Sequence, residues 1–421
     1  MNQNSTKRPP PRPPFHVMAK PAGPMCNLRC EYCFYLEKQG MFPKVNGWRM
    51  GDEVLESYIR QTFASQNTPE VSFAWQGGEP MLMGIDFFRK ILALQKRYAK
   101  GKRVHNALQT NGTLLGDEWG EFLAEHDFLV GISIDGPASL HDRYRRDLHE
   151  GPTHDRVMQG LATLIRHGVE FNTLTVVNRH NSREPLRVYR FLKEIGSRYM
   201  QFIPLVERAG STQHCGFENR LAPPPGYSGG NDDAMITPWS VRAVDYGNFL
   251  CTIFDEWVRG DVGRYYVQIF DVMLGQWCGH GSSLCVFSKR CGNAVALEHN
   301  GDVFSCDHFV YPKYRLGNLL ETSLRNMVDS AGQRSFGNAK ADNLPVYCRQ
   351  CEFSAVCNGE CPKHRFIESP DGEPGLNYLC AGYKRFLSHI DPYMRIMANL
   401  LAKQRPPAEI MSMLVARTAR I

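Results

Sequence analysis

The chain has 421 residues, 43% of them hydrophobic and 22% charged, with a formal charge of +6. This is an ordinary soluble globular composition, long enough for two or three domains with filled cores. No run approaches the roughly 18 uninterrupted apolar residues of a membrane helix. The basic excess sits largely at the ends (Lys7, Arg8, Arg12 and Lys20; Lys403, Arg405, Arg417 and Arg420) without an aromatic-interleaved basic patch. Neither a membrane nor a nucleic acid is therefore expected as partner.

Residues 1–14 are polar, basic and proline-rich, and read as a disordered tail. They lack the apolar core of a signal peptide, which predicts a cytoplasmic protein. In a reducing compartment fourteen cysteines are better used for metal binding than for disulfides.

From Phe15 to about Pro204, short β-rich runs alternate with helical patterns. The predicted strands cover 15–20, 71–75, 104–110, 128–134, 171–177 and 199–204. Val54, Leu55, Tyr58, Ile59 and Phe63 recur at helical spacing, as do Val157, Leu161, Leu164 and Ile165. Six β-α repeats imply a parallel sheet with right-handed crossovers, an open (β/α)6 barrel over 15–237. In such barrels the reactive face is the C-terminal end of the strands. The informative loops follow strands: a cysteine triplet after the first, Gln76-Gly77-Gly78-Glu79-Pro80 after the second, Thr110-Asn111-Gly112-Thr113 after the third and Asp135-Gly136-Pro137 after the fourth.

Residues 208–236 are rich in Gly, Pro and polar residues and read as a surface loop, a lid or a partner contact. Helical patterns at 238–258 and 265–277 bridge to a cysteine-rich domain over 278–385. Its weak periodicity predicts that folding there depends on metal. A helical run near 381–402 leads into a C-terminal helical segment, 386–421.

Eleven of the fourteen cysteines form two groups. The first is Cys26-x3-Cys30-x2-Cys33. Its Cys30–Cys33 half alone could be a thioredoxin-like pair or half of a zinc site. A redox pair ignores the third cysteine, and zinc normally wants a fourth ligand nearby. Iron–sulfur clusters take four ligands, so three thiolates leave one iron open.

Cys26-Asn-Leu-Arg-Cys30-Glu-Tyr-Cys33-Phe-Tyr, just after the first strand of a β-α series, resembles the signature of radical S-adenosylmethionine (SAM) enzymes. The resemblance implies a 4Fe–4S cluster on Cys26, Cys30 and Cys33 whose fourth iron is chelated by SAM. One-electron cleavage of SAM then produces a 5′-deoxyadenosyl radical. By the same resemblance Gly78 binds the SAM amino group and Tyr32 offers its backbone to the adenine. Ser133 bonds the ribose or carboxylate, and Arg145 pairs with the carboxylate, as a guanidinium fork suits. Arg143, Arg145 and Arg146 could otherwise be a solvated basic cluster.

The second group is Cys285, Cys291, Cys306, Cys348, Cys351, Cys357, Cys361 and Cys380. Its spacing resembles the SPASM pattern of radical SAM enzymes that modify proteins and peptides. That implies two further 4Fe–4S clusters, on Cys285, Cys291, Cys306 and Cys361 and on Cys348, Cys351, Cys357 and Cys380. Of the three remaining cysteines, Cys251 lies in an apolar helical pattern and Cys215 in the long loop. Cys278 is the one competing ligand.

From Phe15 to about Leu401 the chain is similar to the anaerobic sulfatase-maturating enzymes, through segments that include 15–35, 73–82, 108–115, 296–310 and 376–386. This implies conversion of a cysteine or serine in a sulfatase C/S-x-P/A-x-R motif to Cα-formylglycine, with Asp307 accepting the thiol or hydroxyl proton. An aspartate of pKa ~3.9 is a poor base towards a thiol near ~8.5. Burial is expected to raise its pKa, and loss of the Cβ hydrogen to acidify the neighbouring S–H or O–H. A ferredoxin or flavodoxin is expected as reductant. Two alternatives stand beside this reading. One is another SPASM enzyme acting on a ribosomal peptide, for whose leader-binding domain the short tail leaves no room. The other is a zinc-bound scaffold or nucleic-acid adaptor without catalysis.

Overall fold

The computed structural model describes residues 14–210, 221–227 and 235–418. The tail at 1–13, the loop segments 211–220 and 228–234, and Cys215 lie outside the described residues.

All six expected strands form: β1 (His16–Lys20), β2 (Glu70–Trp75), β3 (Arg103–Thr110), β4 (Leu129–Ser133), β5 (Phe171–Val177) and β6 (Tyr199–Pro204). Each pairs in parallel with the next. Helices α1 (Asp52–Ser65), α2 (Ile85–Tyr98), α3 (Asp117–Glu125), α4 (Ala138–His141), α5 (His154–Arg166) and α6 (Pro185–Glu194) fill the crossovers. Asp52 and Glu53 open α1, where carboxylates suit the helix dipole, and Val54, Leu55, Tyr58, Ile59 and Phe63 are all buried. On α5 the stripe is narrower than expected. Val157, Leu161 and Leu164 are buried, but Ile165 is 53% exposed because it falls beyond the face turned to the sheet.

Helices α7 (Ala243–Gly260) and α8 (Gln268–Trp277) follow, with the two-residue β7 (Tyr266–Val267) beside β6. A 23-residue helix, Cys380–Ala402, crosses α7 at Gly247 and Gly382. A Cβ on Gly382 would meet Ala243 O at 2.0 Å, and one on Gly247 would meet Gly382 O at 2.6 Å. Only glycine permits this approach.

The cysteine-rich region is less separate than its sequence suggests. β8 (Ala294–Glu298) pairs in parallel with β1 over its whole length, and β9 (Asp302–Phe304) and β10 (Arg315–Asn318) continue the sheet antiparallel. The result is one ten-stranded sheet in the order β10-β9-β8-β1-β2-β3-β4-β5-β6-β7. Val295, Ala296, Leu297 and Glu298 are fully buried. So short a strand, covered on both faces, shows no alternation to read. Gln61 of α1 clamps the segment after β10, donating to Leu319 O at 2.8 Å and accepting from Leu324 N at 2.6 Å.

Candidate active site

A cavity of about 430 Å³ opens at the C-terminal ends of the barrel strands. Cys26, Cys30, Tyr32, Cys33, Gly78, Ser133, Arg145 and Asp307 all line it. The cysteine loop is built in on both sides. Gly78 N and Glu79 N donate to Gly23 O (2.9 Å) and Met25 O (2.8 Å), while Arg29 N and Glu31 N donate to Arg146 O (2.8 Å) and Tyr144 O (3.0 Å). Gly78 is required by this packing, since a Cβ there would meet Met25 O at 2.0 Å. Its N–H is consumed, so its carbonyl is what could meet an ammonium group.

Burial drives the Cys26 and Cys33 thiols upward and pushes Cys30 to about 12. Such thiols give up their protons readily only to a metal. Three desolvated thiols that line one cavity and act electrostatically on one another therefore fit a cluster with one open iron. Leu28 N points at Cys26 Sγ (3.4 Å), as does Asn111 Nδ2 (3.8 Å), so donors for a thiolate are in place.

Several residues here escaped the sequence reading. Glu79, fully buried, accepts from Met81 N, Thr110 Oγ1 and Asn111 N at 3.1, 2.8 and 2.8 Å, and so locks the second loop to the end of β3. Arg145, expected to await a SAM carboxylate, already has an anion: its Nε lies 3.0 Å from Asp135 Oδ2. That excludes the solvated-cluster alternative for this arginine, which is only 7% exposed. The available signal was a polar residue at or just past a strand's C-terminal end: Lys20 ends β1, and Asp135 lies two residues past β4.

Asp307 enters the same cavity from the cysteine-rich region, one residue after Cys306. The expectation that burial raises its pKa is overturned. Burial does push upward, but the paired charge of Lys20 first, and that of Lys363 further off, outweigh it and hold Asp307 below the ordinary carboxylate range. Lys20, at the end of β1, is 2% exposed, ion-pairs with Asp307 and lies 3.6 Å over the Tyr35 ring. His308 is pushed down to about 3, by burial first and then by Lys363, and is neutral.

The eight later cysteines fall into two neighbourhoods. Cys285 and Cys291 act electrostatically on Cys306, and Cys291 and Cys306 on Cys361. Cys348 and Cys380 act on Cys357, and Cys348 and Cys351 on Cys380. Lys340, 1% exposed, holds the Cys285 turn by donating to Cys285 O and Val286 O at 2.8 and 2.7 Å. Cys251 is core, and Cys278 ends α8, perturbed by burial alone.

A parallel barrel carrying an open three-thiol site at its strand ends, followed by a region with two four-thiol sets, defines a radical SAM enzyme of the SPASM group. The Radical SAM superfamily model matches residues 21–192, and the iron-sulfur cluster-binding SPASM domain matches 285–352. The chain is 47% identical to the serine-type anaerobic sulfatase-maturating enzyme of Bacteroides thetaiotaomicron, over 95% of both chains. It is 32% identical to the cysteine-type enzyme of Clostridium perfringens, over 92% of this chain and 99% of that one. The structure of native anSMEcpe with bound AdoMet and Cp18Cys peptide superimposes with a TM-score of 0.78 at 32% identity, covering 92% of this chain and 99% of that one. The chain belongs to the anaerobic sulfatase-maturating enzymes.

Proposed function

We propose that this enzyme oxidises a serine or cysteine in a sulfatase C/S-x-P/A-x-R motif to Cα-formylglycine. The observation that carries the proposal is the convergence of the three-thiol loop, Gly78, Ser133 and Arg145 with Asp307 on one cavity. The greater identity to a serine-type enzyme favours serine as the preferred target.

Cys26, Cys30 and Cys33 hold the SAM-binding cluster. Cys285, Cys291, Cys306 and Cys361 hold the nearer auxiliary cluster, and Cys348, Cys351, Cys357 and Cys380 the farther one. When bound, the cluster and SAM would supply one-electron chemistry able to activate a substrate Cβ–H bond, and the auxiliary clusters would supply a sink for the second electron. The Gly78 carbonyl accepts the SAM amino group, Tyr32 presents its backbone to the adenine, and Ser133 and Arg145 orient the ribose and carboxylate. Asp307, kept ionised by Lys20, takes the hydroxyl or thiol proton. Its weak basicity suffices because that proton becomes far more acidic once the adjoining carbon has lost hydrogen. The electron donor is a ferredoxin or flavodoxin, and the thirteen described cysteines, all unpaired, suit a reducing cytoplasm. No helix among the described residues is long and apolar enough to cross a membrane.

The test is anaerobic incubation of the reconstituted enzyme with SAM, reductant and paired SxPxR and CxPxR peptides, read by mass spectrometry. Formylglycine from both, faster from serine, is expected. Deoxyadenosine production without peptide oxidation would favour a different peptide modification.

A further inference from the structure

Asp135 lies two residues beyond Ser133, and none of its surface reaches solvent. Three parts of the chain converge on its carboxylate. Oδ2 accepts from Tyr32 Oη of the cysteine loop at 2.5 Å and lies 3.0 Å from Arg145 Nε, while Oδ1 accepts from Val176 N of β5 at 2.9 Å. Its backbone is held as firmly: the N–H donates to His141 Nδ1 at 3.3 Å, and the carbonyl accepts from Asn181 Nδ2 at 3.2 Å. Arg145 is also tied at its own carbonyl, which accepts from Thr153 Oγ1 at 2.7 Å.

A buried guanidinium without an anion is costly and would turn toward solvent or recruit another anion. Asp135 removes that cost while occupying one edge of the fork. A guanidinium has five N–H donors, so others remain for a second anion in the cavity that Arg145 lines. The same carboxylate holds the Tyr32 phenol and thereby the backbone of the cysteine loop. We propose that Asp135 is a positioning residue for SAM, presetting the arginine that meets the carboxylate and the loop that meets the adenine. This rests on the reading that SAM occupies this cavity.

The test uses anaerobically reconstituted full-length enzyme, with SAM affinity measured by titration and by the change SAM makes in the EPR signal of the reduced cluster. Asp135→Asn keeps shape but loses charge. It should bind SAM on the order of 10- to 100-fold more weakly, with wild-type iron content and an unchanged SAM-free Tm. KM for SAM should rise more than kcat falls in deoxyadenosine formation. Tyr32→Phe should weaken SAM binding a few-fold, and the double variant should be no weaker than Asp135→Asn, because both break one link. Arg145→Ala separates the two levels of inference. Wild-type SAM affinity in Arg145→Ala would remove the SAM-site reading itself. Weak binding by Arg145→Ala with wild-type affinity in Asp135→Asn, or additive effects of Asp135→Asn and Tyr32→Phe, would overturn the role of Asp135 alone. Because Tyr32→Phe leaves the carboxylate intact, it tests the link even if Asp135→Asn folds poorly.

Discussion

Asp307 and Lys20 show how a buried ion pair shapes a base. The lysine makes the carboxylate a weaker base but keeps it ionised and fixed in the cavity. Asp307→Asn retains size and polarity and removes the proposed base. It should still cleave SAM, while formylglycine yield falls by a factor on the order of 10² to 10⁴. Deoxyadenosine and product quantified in the same reaction reveal this uncoupling, and near-normal formylglycine would assign the proton to another group. Replacing Cys26, Cys30 and Cys33 together by alanine should instead abolish deoxyadenosine formation while leaving the auxiliary iron in place, as iron assay and product chromatography would register.

Lys38 gives a pH prediction. It is 3% exposed, and burial, followed by the charges of Lys20 and Lys363, lowers it to about 7. Its folded pKa lies below its unfolded value, so between pH 7 and 10.5 the unfolded chain binds the extra proton and stability rises with pH. Below that window the full cost of the buried charge remains, on the order of 3 kcal/mol after its cation–π contact with Tyr311. Lys38→Met should therefore stabilise the protein at pH 6 by about 1–3 kcal/mol, with the gain shrinking toward pH 10. Urea titrations at the two values measure it, and a gain independent of pH would show that packing rather than charge is responsible.

Among the elements, the crossing of α7 with the helix Cys380–Ala402 is the most sharply constrained contact. Gly382→Ala places a methyl group 2.0 Å from Ala243 O, which must move. Overpacking of this kind costs about 1–3 kcal/mol, so Tm should fall. The helix also carries Cys380, hence a forced shift should lower iron content as well. An unchanged Tm would mean that the helices part without penalty.

Across the whole molecule, the ten-stranded sheet divides the cysteine-rich region into two kinds of structure. β8 to β10 belong to the barrel's sheet and core, whereas Cys348 and Cys357 sit on four-residue helices without buried side chains, and Cys351 lies between those helices. Cys348→Ala or Cys380→Ala should reduce soluble yield, since metal binding and folding are coupled where the core is thin. In the soluble fraction, hydrogen exchange should accelerate over 342–379 while 294–318 stays protected. Equal loss of protection in both segments would show that the clusters support the sheet too.

Residue type and spacing sufficed for the six parallel strands, and they singled out the cysteine triplet, the eight later cysteines and Asp307 as candidates. Chemistry at these places demands particular atoms at short separation along the chain, and such demands leave a readable trace. What spacing could not convey was which distant groups share a charge. Lys20 and Asp307 are 287 positions apart (307 − 20), and their pairing reverses the effect that burial alone has on the carboxylate. Tyr32 and Asp135, 103 positions apart, meet because parallel strands bring successive loops to one end of the barrel. The strand Ala294–Glu298 was unreadable for a related reason. Its partner is β1, and five residues covered on both faces carry no period of their own. Local pattern reports local geometry, whereas desolvation, ion pairing and strand order depend on neighbours that the chain's path alone supplies.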